Sequence, residues 1–199
     1  MKITTTKVLT ALITAGLIAF TGNVSADSAY GYQSSGTGTV TASTSLKVKV
    51  TIPKLIILKV GTANAVDTLE LAAAGVIGGT TGALTSGGAS TAANWDHVAP
   101  TFTTDEKSVN AYIWTNADSA TLTCSSDTGL STLNLAPKDI KVNSGGSHPG
   151  ATTACGSPVS ITRNTVMTTT WKYSLDTASL AAAYPGSATQ TTTYVASAP

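Results

Sequence analysis

Charged side chains are scarce in this sequence. Only 11% of its residues are Asp, Glu, Lys or Arg, less than half of the roughly 25% usual in soluble domains. The eleven basic and ten acidic residues nearly cancel. With no basic field to hold a polyanion, nucleic-acid binding is excluded. Histidine occurs twice, as His97 and His148, far apart, and cysteine twice, as Cys124 and Cys155. These are too few ligands for a metal site built on nitrogen and sulfur. No Gly-x-Ser-x-Gly elbow and no phosphate-binding Gly-x-x-x-x-Gly-Lys-Ser/Thr loop is present. The longest apolar run, Val8 to Phe20, covers thirteen residues, short of the roughly 20 a membrane span needs.

That run has a different meaning. Lys2 and Lys7 precede it, and the small residues Val24-Ser25-Ala26 follow it. A basic start, an apolar middle and a small-residue end make a secretory signal peptide. The expected cut falls between Ala26 and Asp27. No second long apolar stretch follows, so no membrane span is expected in the mature chain. Without Lys2 and Lys7 the basic residues fall to nine against ten acidic, a net of −1. In an exported chain a single cysteine pair reads as a disulfide, here Cys124–Cys155.

What the chain has in quantity is Thr, Ser, Ala and Gly, the first favouring strands and the last favouring turns. Residues 27–45 read as a flexible leader and residues 46–199 as one domain. Leu46, Val48, Val50 and Ile52 alternate with Lys47, Lys49 and Thr51, the pattern of a half-buried strand. Val40 and Ala42 carry the same parity backwards, and Pro53 interrupts it. Leu55 to Val60 reads as a buried strand and Asp67 to Leu71 as a short one. Residues 72–94 read as a long loop without a packing pattern. Further strands are expected at Val98–Thr103, Lys107–Thr115, Ala120–Ser125, around Ile140 and Val142, around Val159 and Ile161, at Thr165–Leu175, and at Gln190–Ala198. Asp176 to Tyr184 is the one helical candidate, capped by Asp176 or Thr177. It links two strands expected to share a sheet. Some nine short strands with turn signals between them predict an all-β sandwich, because two sheets can hide their alternating apolar faces against each other.

The search for chemistry yields no catalytic residues, no cofactor and no metal, so the chain reads as non-enzymatic. Asp96 and His97 are neighbours, which on a strand point to opposite faces. His148, between Ser147 and Pro149, reads as a solvated loop residue. The ten acids left after Ala26 mostly adjoin turn residues, where Asp bonds nearby backbone. Of the three tryptophans, Trp171 reads as core, while Trp95 and Trp114 are candidates for stacking on a ligand.

Three stretches carry a resemblance. These are Gly38-Thr39-Val40-Thr41-Ala42-Ser43 after the leader, Lys107 to Asp118 (K-S-V-N-A-Y-I-W-T-N-A-D), and the tail from Trp171 through Pro185-Gly186 to Pro199. Together they resemble a bacterial chaperone–usher fimbrial subunit (a pilin), nearest the colonisation-factor type. The cysteine pair and residues 72–94 depart from that pattern. The resemblance implies an immunoglobulin-like, Greek-key β-sandwich that lacks one strand and accepts a neighbour's N-terminal extension in its place. The donor candidates are Val40, Ala42 and Leu46, unless those residues complete their own sheet. Implied partners are other copies of the chain or related subunits, a periplasmic chaperone and an outer-membrane usher. The implied location is the cell surface, and the implied role is structural, with a part in adhesion. The competing reading is a secreted carbohydrate- or host-ligand-binding β-sandwich module using Trp95 or Trp114.

Overall fold

The computed structural model describes residues 28–79 and 94–199. The expected signal peptide, its cut at Ala26 and Asp27, and most of the 72–94 segment lie outside the described residues. The chain divides into two units, one ending at Thr51 and one running from Ile52 to Pro199.

The second unit is all-β, with antiparallel sheets and little helix. Its strands are β1 (Ile56–Val60), β2 (Ala73–Val76), β3 (Thr101–Thr104), β4 (Glu106–Thr115), β5 (Ala120–Ser126), β6 (Ile140–Asn143), β7 (Val159–Ile161), β8 (Met167–Leu175) and β9 (Thr192–Ser197). A four-stranded sheet runs β1-β4-β8-β6, a three-stranded sheet runs β7-β5-β9, and β2 pairs with β3 alone. Four residues, Thr177–Leu180, form the helix α1.

β4 illustrates how the pattern becomes structure. Its ten residues place Val109, Ala111 and Ile113 on one face, and all three are buried. Ala120 and Leu122 of β5, Val142 of β6, Ile161 of β7, and Trp171 and Tyr173 of β8 join them, so both large sheets contribute to one apolar cluster. Trp171 is its largest fully buried side chain, and truncating such a residue costs about 3–5 kcal/mol. The β4–β5 turn is fixed by Thr115, whose buried hydroxyl donates to the Leu55 carbonyl at 2.9 Å and accepts from the Ala117 N–H at 3.0 Å. At the end of β1, Gly61 takes a positive φ of 72°. The carboxylate of Asp67 sits where a side chain on residue 61 would go, and it accepts from the Thr62 N–H.

Several expectations change. Leu46 to Ile52 is not a half-buried strand of its own domain. The segment is exposed throughout and pairs with no strand among the described residues. Leu55 to Val60 is an edge strand with an alternating pattern rather than a buried one, since only β4 flanks it. Asp67 to Leu71 forms no strand, although Leu69 and Leu71 still pack on the core. The segment expected as a featureless loop begins with β2, because its small side chains let Ala73–Val76 pair closely with Thr101–Thr104. The strands joined through α1 lie in different sheets, β8 beside β4 and β6, β9 beside β5. The stretch before β6, unassigned from sequence, contains two 3₁₀ turns, Gly129–Leu133 and Pro137–Asp139. Asp176 caps α1 as expected, its side chain accepting from the Ala178 N–H.

Candidate functional site

The first unit presents its apolar side chains to solvent. Leu46, Val48, Val50 and Ile52, the last being the first residue of the second unit, are 76%, 76%, 75% and 77% exposed. They fall two residues apart, so in an extended chain all four project to one side. Lys47, Lys49 and Thr51 project to the other. Val40 is half exposed and Ala42 exposed. Of the donor candidates named from sequence, Leu46 therefore belongs to a longer row that continues through Val48, Val50 and Ile52. Those three were visible in the sequence as a period-two run but read as buried in their own domain. The structure instead shows all four side chains exposed.

In the second unit, two edges stand out. Among the described residues, β1 is paired in a sheet only with β4, and β9 only with β5. β1 and β9 approach each other from different sheets without forming a ladder. The inward side chains here are Ile56, Leu58 and Val60 of β1, Tyr194 and Ala196 of β9, and Ala198 just beyond it. All pack against the core yet stay only partly buried. An unpaired strand edge with half-covered apolar side chains beside it is a template for another strand.

No family model, curated protein or solved structure matches this chain.

The remaining candidates separate clearly. Cys124 and Cys155 form the disulfide, with Cα atoms 5.6 Å apart. It ties β5 to the loop that follows β6. Trp95 is half exposed, its indole N–H donating to the Val98 carbonyl at 2.7 Å and its ring 5.2 Å from that of His97. Trp114 is partly buried opposite Ile57 of β1, and the neighbouring Tyr112 ring carries the Lys59 ammonium 5.4 Å from its centre. Trp95 lies in the segment before β3, outside any strand, whereas Trp114 is in β4, an interior strand of the four-stranded sheet. Among the described residues no three His, Cys, Asp or Glu side chains gather in a metal-holding group, and no helix is long and apolar enough to cross a membrane.

Most of the described Asp residues accept from backbone N–H groups, while Asp118 and Glu106 pair with Arg163 and Lys172. Asp105 accepts from the Ala72 N–H, Asp127 from the Gly129 N–H, Asp139 from the Ala136 N–H and Asp176 from the Ala178 N–H. Lys107 holds the Asp105 carboxyl below the usual carboxylate range, the Gly129 N–H does so for Asp127, and Lys141 for Asp176.

His148 overturns its expected place. It is not solvated but 3% exposed. Its Nδ1 lies 2.8 Å from the Gly150 carbonyl and its Nε2 2.8 Å from the Tyr194 hydroxyl, which in turn is 2.8 Å from the Tyr173 hydroxyl. Burial pushes the imidazole below its ordinary pKa and both phenols above theirs. The Ser-Gly-Pro surroundings of His148 gave no signal of this. The only sequence hint was the parity of Tyr173 and Tyr194 within their strands.

Proposed function

We propose that this chain is a structural subunit of a bacterial surface fimbria, and that it polymerises by donating residues 46–52 to the β9 edge of a second copy. The observation that carries the reading is the row Leu46, Val48, Val50 and Ile52, four apolar side chains on one side of an extended segment, each about three-quarters exposed. Burying one such side chain is worth roughly 1.5–3 kcal/mol, so a soluble chain gains by covering the row. An extended segment with period-two anchors suits strand addition: the ladder supplies affinity and the alternating side chains supply register. The half-covered apolar side chains of β1 and β9 offer the matching surface. A donor on one end of each copy and an acceptor on its body make a head-to-tail contact, which extends into a filament where its rotation does not close a ring.

In this reading the two sheets around the shared core form an incomplete immunoglobulin-like sandwich. The chain is exported through residues 1–26 and meets a periplasmic chaperone and an outer-membrane usher before reaching the cell surface. The disulfide suits that oxidising route. The donor row of the proposal shifts towards the C-terminus from Val40 and Ala42, which stand at its margin.

The test is assembly of the exported protein with Val48→Asp and Val50→Asp. Electron microscopy and size-exclusion chromatography should show filaments or oligomers for the unsubstituted chain and monomers for the doubly substituted one, with unchanged far-UV circular dichroism. Filaments of equal length from both would overturn the reading.

A further inference from the structure

The hydrogen-bond chain through His148 runs in one direction only. The Gly150 carbonyl can only accept, so Nδ1 carries a hydrogen and donates to it at 2.8 Å. Nε2 is then a bare lone pair and accepts from the Tyr194 hydroxyl. The Tyr194 oxygen in turn accepts from Tyr173. An imidazolium has an N–H on both nitrogens. Adding that proton makes Tyr194 accept from the ring instead of donating to it, and one of the two phenolic protons is left without an acceptor in the chain. The rings described around the imidazole are uncharged aromatics. From β8 it faces Trp171 at 4.8 Å and Tyr173 at 6.1 Å, and from β9 Tyr194 at 5.4 Å. Within its own loop the Ser144 hydroxyl accepts from the backbone N–H of His148 at 3.1 Å. From β5 comes Cys124, whose sulfur lies 3.6 Å from the carbonyl of the next residue, Pro149. The titratable groups in this set are the two phenols, and no described carboxylate is ion-paired with the ring.

We propose that His148, Tyr194 and Tyr173 form an acid-operated latch on β9: protonating His148 frees the β9 edge from the core while the β4–β8 pairing holds. The asymmetry follows from position. β8 is flanked on both sides, by β4 and β6, whereas among the described residues β9 has β5 alone, and Tyr194 is the side chain through which β9 reaches His148 and meets Trp171, the two rings tilted with centroids 4.9 Å apart. The sign also follows. Burial keeps the folded ring neutral below its ordinary range, whereas a ring released to water takes its proton near pH 6.5. Opening therefore takes up a proton as the pH falls below about 6.5, and its equilibrium constant rises by up to about tenfold per pH unit until the folded ring itself charges. Above that value it is flat. The lowered carboxyls of Asp105, Asp127 and Asp176 act only below about pH 4, outside this window. The latch belongs to a single copy. Its consequence for assembly, an acceptor edge that acid loosens, rests on the strand-addition reading above.

Amide hydrogen exchange on the monomeric full chain between pH 7.5 and 5, corrected for intrinsic rates, tests it. The opening constant of β9 amides should rise more than tenfold across that range, with a much smaller change in β4 and β8. His148→Gln, whose amide oxygen still accepts from Tyr194 but does not titrate, should abolish the rise. A flat β9 profile, or the same rise in the variant, would overturn the proposal. Should the variant not fold, the ring nitrogens of His148 in the unsubstituted chain decide by NMR: charging together with β9 opening supports the latch, and an imidazolium with β9 still protected refutes it. No second copy takes part, so failure to polymerise leaves this result standing, and failure here leaves polymerisation untouched.

Discussion

Replacing both cysteines with alanine should weaken the folded domain by about 3.7 kcal/mol. The figure comes from the 31-residue separation of Cys124 and Cys155, through the loop-closure entropy that a cross-link removes from the unfolded chain. Little is subtracted in the folded state. The two sulfurs lie near the Pro149 and Thr153 carbonyls without a strong polar partner, at 3.6 and 3.4 Å, so alanine strands no buried donor. For a domain of this size the loss corresponds to roughly 7–15 °C in melting temperature. Urea unfolding of the monomer is the assay, and it has a second readout. A chain without the cross-link unfolds to a more open state, so the slope m should rise as the midpoint falls. A loss below about 1 kcal/mol with m unchanged would refute the reasoning, since it would mean that the enclosed segment is already ordered, or already restrained, in the unfolded chain.

Two further outcomes are expected. Thr115→Val keeps the shape of a fully buried residue but leaves the Ala117 N–H without its acceptor, while the Leu55 carbonyl keeps the Asn116 N–H. Urea titration should register a loss of about 1–3 kcal/mol with m unchanged. Asp105, Asp127 and Asp176 have carboxyls held below the value of 3.8 they have unfolded. Their contribution is complete above about pH 4 and is lost as the pH falls through the folded values, so an acid titration of Asp176→Asn should show a shallower low-pH limb than the unsubstituted chain.

Much of the fold was legible because strand parity is a local property. β4 could be read from Val109, Ala111 and Ile113 alternating with Asn110 and Tyr112, and the Asp176 cap from the residue type and the alanines after it. Three things were hidden for physical reasons. Ala73-Ala74-Gly75-Val76 has no large side chain to mark a face, so β2 looked like loop. Which sheet β9 joins depends on long-range pairing with β5 that no spacing encodes. The run from Leu46 to Ile52 announced a strand, but parity says only that one side wants covering, not whose core will cover it. The same limit applied to His148: a polar loop composition says nothing about whether the loop folds over a core.

The central claim is that the exposed row completes β-structure on a second copy along β9. It is tested most directly by adding a synthetic peptide of residues 44–54 to the monomeric chain and following β9 amide exchange. A control peptide of the same composition exchanges Lys47 with Val48 and Lys49 with Val50, which moves the two valines to the opposite face from Leu46 and Ile52 and so splits the four-residue row. The account predicts slower exchange along β9 with the native peptide and no change with the control; equal protection by both peptides, or none from either, would contradict it.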